Sequence, residues 1–263
     1  MDSHQRHQQH KFSLAAPAYE RLSLVQQAAA KRLFQGLAFL GDATRILDVG
    51  CGTGALTRLL AATWPRAEVL GIDLAPGMIE EARRATGNAR QPQFLVSDTL
   101  QFTAPIPFDL IVSSSSLHWM QPLDRTFAHL AAQLAPGCHF AFSLMLEDTL
   151  KELHALRREV APSTPPAARM PSAENVRAAL RAAGLRIEME EEEEHVVQAA
   201  DAAAMLRDLR DLGVTGGPLS RGERPLNRRE LRLLIDAYDV RHRSEHGVSA
   251  TYHVGYFWGS RNA

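Results

Sequence analysis

From Ala28 onward the chain alternates between two apolar rhythms. Apolar residues at three- and four-residue spacing predict helices over Ala28–Leu40, Ala55–Trp64, Pro76–Arg84 and Leu123–Leu134. Short continuous apolar runs between them predict strands over Ile46–Val49, Glu68–Ile72, Gln93–Val96, Phe108–Ser113 and Cys138–Leu144. Pro65 and the Pro136-Gly137 pair punctuate two of the helices where the pattern ends. Buried strands separated by helices build a mostly parallel sheet covered on both faces.

After Leu146 the rhythm changes. Helix Thr149–Val160 runs into the proline-rich "APSTPPAARMPS", then helix Ala173–Ala183 follows, with Ser172 as N-cap and Gly184 as its stop. "LRIEMEEEEEHVV" reads as a strand with Leu185, Ile187 and Met189 inward, its Glu190 to Glu194 run being a solvated edge that discourages sheet pairing. Helix Ala200–Leu212, a loop with Gly213, Gly216 and Gly217, and helix Arg228–Val240 form a helical cap, and Thr251–Gly259 supplies a seventh strand. The expected organisation is an arm and lid helix over 1–40, a core over 41–147, helices and a sixth strand over 148–198, the cap over 199–249 and the final strand over 250–263.

The bulk numbers narrow the partners. A chain of 263 residues that is 45% apolar is long enough for one large core with an inserted cap. Its net charge of −1 gives no global attraction to nucleic acid or to an anionic membrane, so a charged partner must be met by a local patch. Cys51 and Cys138 read as reduced thiols of a cytosolic protein. The polar opening "MDSHQRHQQHKF" has no apolar run of signal-peptide type, and His4, His7 and His10 lie in what reads as a solvated, disordered arm rather than a metal site. A cytoplasmic location and no metal are therefore expected.

"LDVGCGTG" places Gly50, Gly52 and Gly54 at the carboxyl end of the first strand, where open parallel sheets bind ligands. Gly50, Gly52 and Ala55 also satisfy a dinucleotide fingerprint. Asp48 separates the two readings: a carboxylate two residues before the first glycine would repel a pyrophosphate but favour the ammonium and sulfonium of S-adenosylmethionine. Asp73, at the end of the second strand, suits ribose hydroxyls in either ligand, and Asp98 with Thr99 suits an adenine edge.

These residues resemble the class I S-adenosylmethionine-dependent methyltransferases, through "LDVGCGTG", "GIDLAPGMIEEAR", "SDTLQF" and "FDLIVSSSSLHWM". The resemblance implies an α/β, Rossmann-like fold and adds Leu74, Met78 and Ser114 to the cofactor residues. The flanks "FSLAAPAYERLSLVQQAAAKRL", "DTLKELH", "LRDLGVTGG", "RPLNRRELRLL" and "TYHVGYFWG" look like the malonyl-acyl-carrier-protein O-methyltransferases of biotin synthesis. Leu14 departs from the basic residue usual there. The implied reaction is esterification of the free malonyl carboxylate on acyl carrier protein. The alternatives are a methyltransferase acting on a free small carboxylic acid or other small acceptor, and a non-catalytic cofactor-binding regulator.

A malonyl carboxylate, with a pKa of roughly 4, is ionised at neutral pH and needs no general base. The protein gains by excluding water and aligning the reacting atoms, which in model systems is worth about 7–11 kcal/mol. Tyr19 and Gln26, seven residues apart and so expected on one helical face, would cover the cofactor. Trp119 would wall the site, His118 would donate to the acceptor, and Arg169 would hold its carboxylate. Tyr252 and His253 are further candidates from the last strand. Arg221, Arg224, Arg228, Arg229 and Arg232 form the basic face expected to dock the acidic carrier.

Overall fold

The computed structural model describes residues 3–87, 90–162, 169–215 and 225–262. Residues 216–224, which hold Gly216, Gly217, Arg221 and Arg224, therefore lie outside the described residues, as does half of the proline-rich connection, residues 163–168. The chain opens with two helices, α1 (Ser3–Leu22) and α2 (Leu24–Gln35). The alternating segment is β1 (Arg45–Val49), α3 (Ala55–Thr63), β2 (Glu68–Asp73), α4 (Pro76–Thr86), β3 (Gln93–Val96), β4 (Phe108–Ser114), α5 (Leu123–Gln133) and β5 (Leu134–Met145). A single 3₁₀ turn, Leu117–Trp119, follows β4. The rest is α6 (Lys151–Val160), α7 (Ala173–Ala182), β6 (Leu185–Ala199), α8 (Ala202–Asp211), α9 (Arg228–Arg241), β7 (Arg243–Ser244) and β8 (Gly247–Arg261).

The strands form one sheet in the order β3-β2-β1-β4-β5-β8-β6, parallel from β3 to β5, with β8 antiparallel to both neighbours. The seven expected strands are joined by an eighth, the two-residue β7, which pairs with the start of β8. Its residues fall where the sequence pattern predicts helical cap, because the chain must fold back after α9 to begin β8.

Two apolar layers cover the sheet. Phe127, Phe140, Phe142 and Phe257 fill one face; Leu33, Leu60, Tyr256 and Trp258 fill the other. Gly36 lets α2 lie against the sheet, since a Cβ there would sit 2.3 Å from the Trp258 ring, whose Nε1–H donates to the Leu33 carbonyl at 3.0 Å. The acidic run lies on β6, at the edge of the sheet. Arg177 pairs with Glu190, Arg32 with Glu191, and Lys151 with Glu194, so these acids take cations from neighbouring elements while remaining half-exposed to exposed.

The largest departure from expectation is the N-terminus. It is not a disordered arm but the start of a 20-residue helix, with Pro17 inside it. Ala16, Met78 and Ala75 pack together, with Phe12 and Tyr19 against them, so α1 lies across the start of α4. Gly77 permits this approach: a Cβ on it would meet the Ser13 carbonyl oxygen at 2.5 Å. The Gly77 N–H donates to Ser13 Oγ at 3.3 Å. Among the described residues, no group of three His, Cys, Asp or Glu is placed to share a metal ion. No helix among them is long and apolar enough to cross a membrane.

Candidate active site

The carboxyl ends of β1, β2, β3 and β4 meet at a cavity of about 320 Å³, roofed by α1. The loop after β1 runs through Gly50, Gly52 and Gly54 at φ of 66°, 54° and 80°, a left-handed path that glycine adopts without a Cβ penalty. Each glycine has a different use. A Cβ on Gly50 would overlap Ser116 Oγ, one on Gly54 would strike the Phe94 ring, and one on Gly52 would project into open space within the cavity. Gly54 does not line the cavity; the absence of a side chain there instead leaves the space that Phe94 and Ala82 occupy.

Asp73 Oδ2 accepts from the Gly52 N–H at 2.9 Å and Oδ1 from the Ala75 N–H at 2.8 Å. Burial pushes its carboxyl above the ordinary value, and those two backbone bonds oppose the shift. Asp98 accepts from the Leu100 N–H at 3.0 Å, and two glutamines, Gln101 and Gln5, donate to its other oxygen at 3.1 and 3.3 Å. Gly50, Gly52, Asp73, Leu74, Met78, Asp98, Thr99 and Ser114 all line this cavity, as expected from the sequence.

Asp48 does not. It is 1% exposed, lines no described cavity, and accepts from the Thr57 hydroxyl at 2.6 Å beneath the loop. Burial raises its pKa to about 7, with the Thr57 bond opposing and the Asp73 charge adding. The selection against a pyrophosphate therefore rests on other groups. Asp73 and Asp98 are the charged lining, no arginine or lysine lines the cavity among the described residues, and the Gly52 N–H that a phosphate would take is already engaged.

A second cavity, of about 190 Å³, lies beyond the first and is walled by α6, α8, α9 and the start of β8. The two share Phe12, Tyr19, Ser115, His118 and Trp119. Apolar side chains such as Leu153, Leu209, Leu231 and Leu234 dominate the second. His118 is buried on the 3₁₀ turn, and its Nδ1 accepts from the Met145 N–H at 3.4 Å, which leaves the proton on Nε2. Burial lowers its pKa to about 3, so the ring is neutral at physiological pH. Trp119 stands edge-on to Phe12 at 5.8 Å, closing the wall from the α1 side. Burial, with Asp73 and Tyr252 adding, raises the Tyr19 phenol well above its ordinary value.

Several expected residues sit elsewhere. Tyr19 and Gln26 are not on one helix: the chain breaks at Ser23, and Gln26 on α2 lines the second cavity only. Arg169 is exposed and lines a separate open depression with Asp124 and Glu147, so it faces neither cavity. Arg157 on α6 lines the second cavity instead, with burial holding its pKa below the ordinary range. Tyr252 lines the second cavity, its phenol pushed up to about 12 by burial, whereas His253 turns away to Glu192 at 2.9 Å. Gln5, Gln8 and Gln9 of α1 line the first cavity, and Gln9 donates to the Leu74 carbonyl at 3.0 Å. Their spacing, continued by Phe12, Ala16 and Tyr19, is that of one helical face, a signal that the polar composition masked.

Comparison with known proteins agrees with this geometry. The methyltransferase domain family matches residues 46–137. Among solved structures, the YcgJ protein of Bacillus subtilis has TM-score 0.63 and 15% identity over 90% of this chain and 99% of its own. The magnesium protoporphyrin IX methyltransferase of Synechocystis, with bound S-adenosylhomocysteine, has TM-score 0.54 and 16% identity over 90% and 83%. A bifunctional biotin biosynthesis protein of Bordetella avium is 32% identical over 94% of this chain, which spans 50% of that protein. The malonyl-[acyl-carrier protein] O-methyltransferase of Geobacter sulfurreducens is 34% identical over 95% of this chain and 96% of its own. By that likeness along nearly the full length of both sequences, and by the methyltransferase domain matched over residues 46–137, this chain belongs to the malonyl-[acyl-carrier protein] O-methyltransferase family.

Proposed function

We propose that this protein is an S-adenosylmethionine-dependent O-methyltransferase that esterifies the free carboxylate of a malonyl thioester carried on acyl carrier protein, in biotin synthesis. The observation that carries the reading is the pair of cavities with one shared wall. The first offers a nucleoside-sized, acid-lined cradle, and the second an apolar chamber beyond Trp119. The cradle fits the cofactor. Gly52 leaves room for close backbone approach, Asp73 keeps lone pairs for ribose hydroxyls, and Asp98 and Thr99, which line the same cavity, would meet the adenine edge.

S-adenosylmethionine, when bound, supplies an electrophilic methyl group on a sulfonium. The chain's own contribution is placement and exclusion of water. Phe12, Trp119 and Tyr19 form the wall that water would otherwise fill. Neutral His118 presents an Nε2–H and takes no proton, as suits a nucleophile that is already an anion. Arg157, rather than Arg169, supplies positive charge to the acceptor side, since it lines the second cavity and Arg169 does not.

The carrier is proposed to dock on α9, where Arg228, Arg229 and Arg232 are exposed. Leu231 lies between these arginines and lines the second cavity, so a carrier seated there would deliver its arm to the chamber. The deciding experiment incubates the protein with S-adenosylmethionine and malonyl-acyl carrier protein and weighs the product. A gain of one methyl group, removed by mild base, is expected; no gain on the carrier, with a gain on a free diacid, would reassign the acceptor.

A further inference from the structure

Four serines, Ser113 to Ser116, leave β4 at the junction of the two cavities. Three of their hydroxyls are held inside the protein. Ser113 Oγ donates to the Val49 carbonyl at 2.7 Å, Ser114 Oγ meets Ser143 Oγ at 3.0 Å, and Ser116 Oγ donates to Val49 at 3.3 Å. Ser115 differs. Its Oγ is buried and, among the described residues, has no hydrogen-bond partner, while its backbone N–H donates to the Ser143 carbonyl at 2.9 Å. Ser114, Ser115 and Ser116 all line the first cavity, but Ser115 alone of them also lines the second.

Its backbone is also unusual. Ser115 has φ 54°, and the other positive-φ residue that is not glycine among the described residues is Leu150, at 55°. Both line the second cavity. Left-handed backbone is unfavourable for residues with a Cβ and persists where the surroundings enforce it, a condition concentrated at functional sites. At Ser115 the result is a hydroxyl that no protein group uses, on a residue that lines both cavities.

We infer that Ser115 Oγ–H donates a hydrogen bond to a carboxylate oxygen of the acceptor at this junction, making Ser115 a substrate-touching residue that orients the nucleophile. The inference rests on the two-cavity reading above. A serine hydroxyl both donates and accepts, but an ionised carboxylate only accepts, so the match requires no change of protonation. The bond holds the carboxylate while leaving a lone pair for the reacting direction. The cofactor's own carboxylate offers the same chemistry, and the contact with the second cavity favours the acceptor.

The test compares wild type with Ser115→Ala and Ser115→Gly. It measures kcat/KM for malonyl thioester, the dissociation constants of that thioester and of S-adenosylmethionine, and thermal stability. Loss of a hydrogen bond to a charged group predicts roughly a 10- to 100-fold fall in kcat/KM and weaker binding of the malonyl thioester to the cofactor-free protein. The cofactor dissociation constant should stay within about twofold. Because the hydroxyl bonds nothing in the protein, Ser115→Ala should not lower the melting temperature, and Ser115→Gly should raise it by relieving the φ of 54°. A melting temperature lowered by several degrees in Ser115→Ala would show a structural hydroxyl and overturn the inference, as would unchanged kinetics. Cofactor affinity falling in step with kcat/KM would assign the bond to the cofactor. If wild type methylates a different carboxylate acceptor and not malonyl thioester, the proposed function fails, while the same comparison on that acceptor still decides the role of Ser115.

Discussion

Two buried titratable residues pull stability in opposite directions with pH. Asp48 has a folded pKa of about 7, above its unfolded value of about 4, so between these the folded protein holds the extra proton. Its contribution is present at low pH and is lost as pH rises from about 4 to about 7. His118 is the reverse: folded at about 3 against about 6.5 unfolded, it costs stability as pH falls below about 6.5. The two offset each other across the mildly acidic range. Asp48→Asn, which keeps an acceptor for the Thr57 hydroxyl, should therefore be more stable than wild type at pH 8 by about 2–4 kcal/mol. The same variant should converge on wild type near pH 4; urea unfolding at both pH values checks it. His118→Gln should instead remove acid sensitivity below pH 6.5, and an unaltered wild-type slope in that variant would show the imidazole is solvated. The sequence made Asp48 visible but could not tell a cavity lining from a buried support, because both occupy the same strand position and differ only in what packs above them.

α1 is the element that the sequence concealed and the site depends on. Its composition is polar, so apolar periodicity could not announce it, yet Gln5, Gln9 and Ser13 face α4 and the strand ends and bond there. The five core strands and their helices were legible because burial on both faces leaves continuous apolar runs. Helix α1 gets its order from a polar seam together with Phe12, Ala16 and Tyr19 packed against Ala75 and Met78, a one-face spacing that the glutamines along it mask. Gly77→Ala tests that seam, since its Cβ would meet the Ser13 carbonyl oxygen at 2.5 Å. Calorimetry should show S-adenosylmethionine affinity reduced about tenfold or more, and limited proteolysis should cut within residues 3–22 first. Retained affinity together with unchanged proteolysis would mean that α4 shifts to absorb the methyl group. Gly36→Ala makes the contrasting case away from the site: crowding Trp258 should cost about 1–3 kcal/mol by denaturant unfolding and leave cofactor affinity unchanged.

Across the whole molecule the charges nearly cancel, with a net charge of −1, so any attraction to an acidic carrier is local. The exposed arginines of α9 stand beside Leu231, which lines the second cavity, so a basic surface adjoins an apolar chamber. That chamber was not legible in the sequence, because its lining comes from α2, α6, α8, α9 and β8, far apart along the chain. Gly50, Gly52, Asp73, Asp98 and Ser114 of the first cavity were legible because they fall at successive strand ends of one alternating segment, whereas its α1 roof was not. If α9 docks the carrier, Arg228→Glu combined with Arg229→Glu should raise KM for malonyl-acyl carrier protein about tenfold and leave kcat unchanged, because the arginines touch the carrier and not the reacting atoms. The same variant should show no KM change for the malonyl thioester of coenzyme A, which has no acidic protein face to lose. Exposed charges separated by more than about 8 Å are largely screened at physiological ionic strength, so added salt should raise the wild-type KM for the carrier toward that of the variant. A wild-type KM indifferent to salt, or a charge-reversed protein with unaltered KM for the carrier, would place docking on another face of the cap.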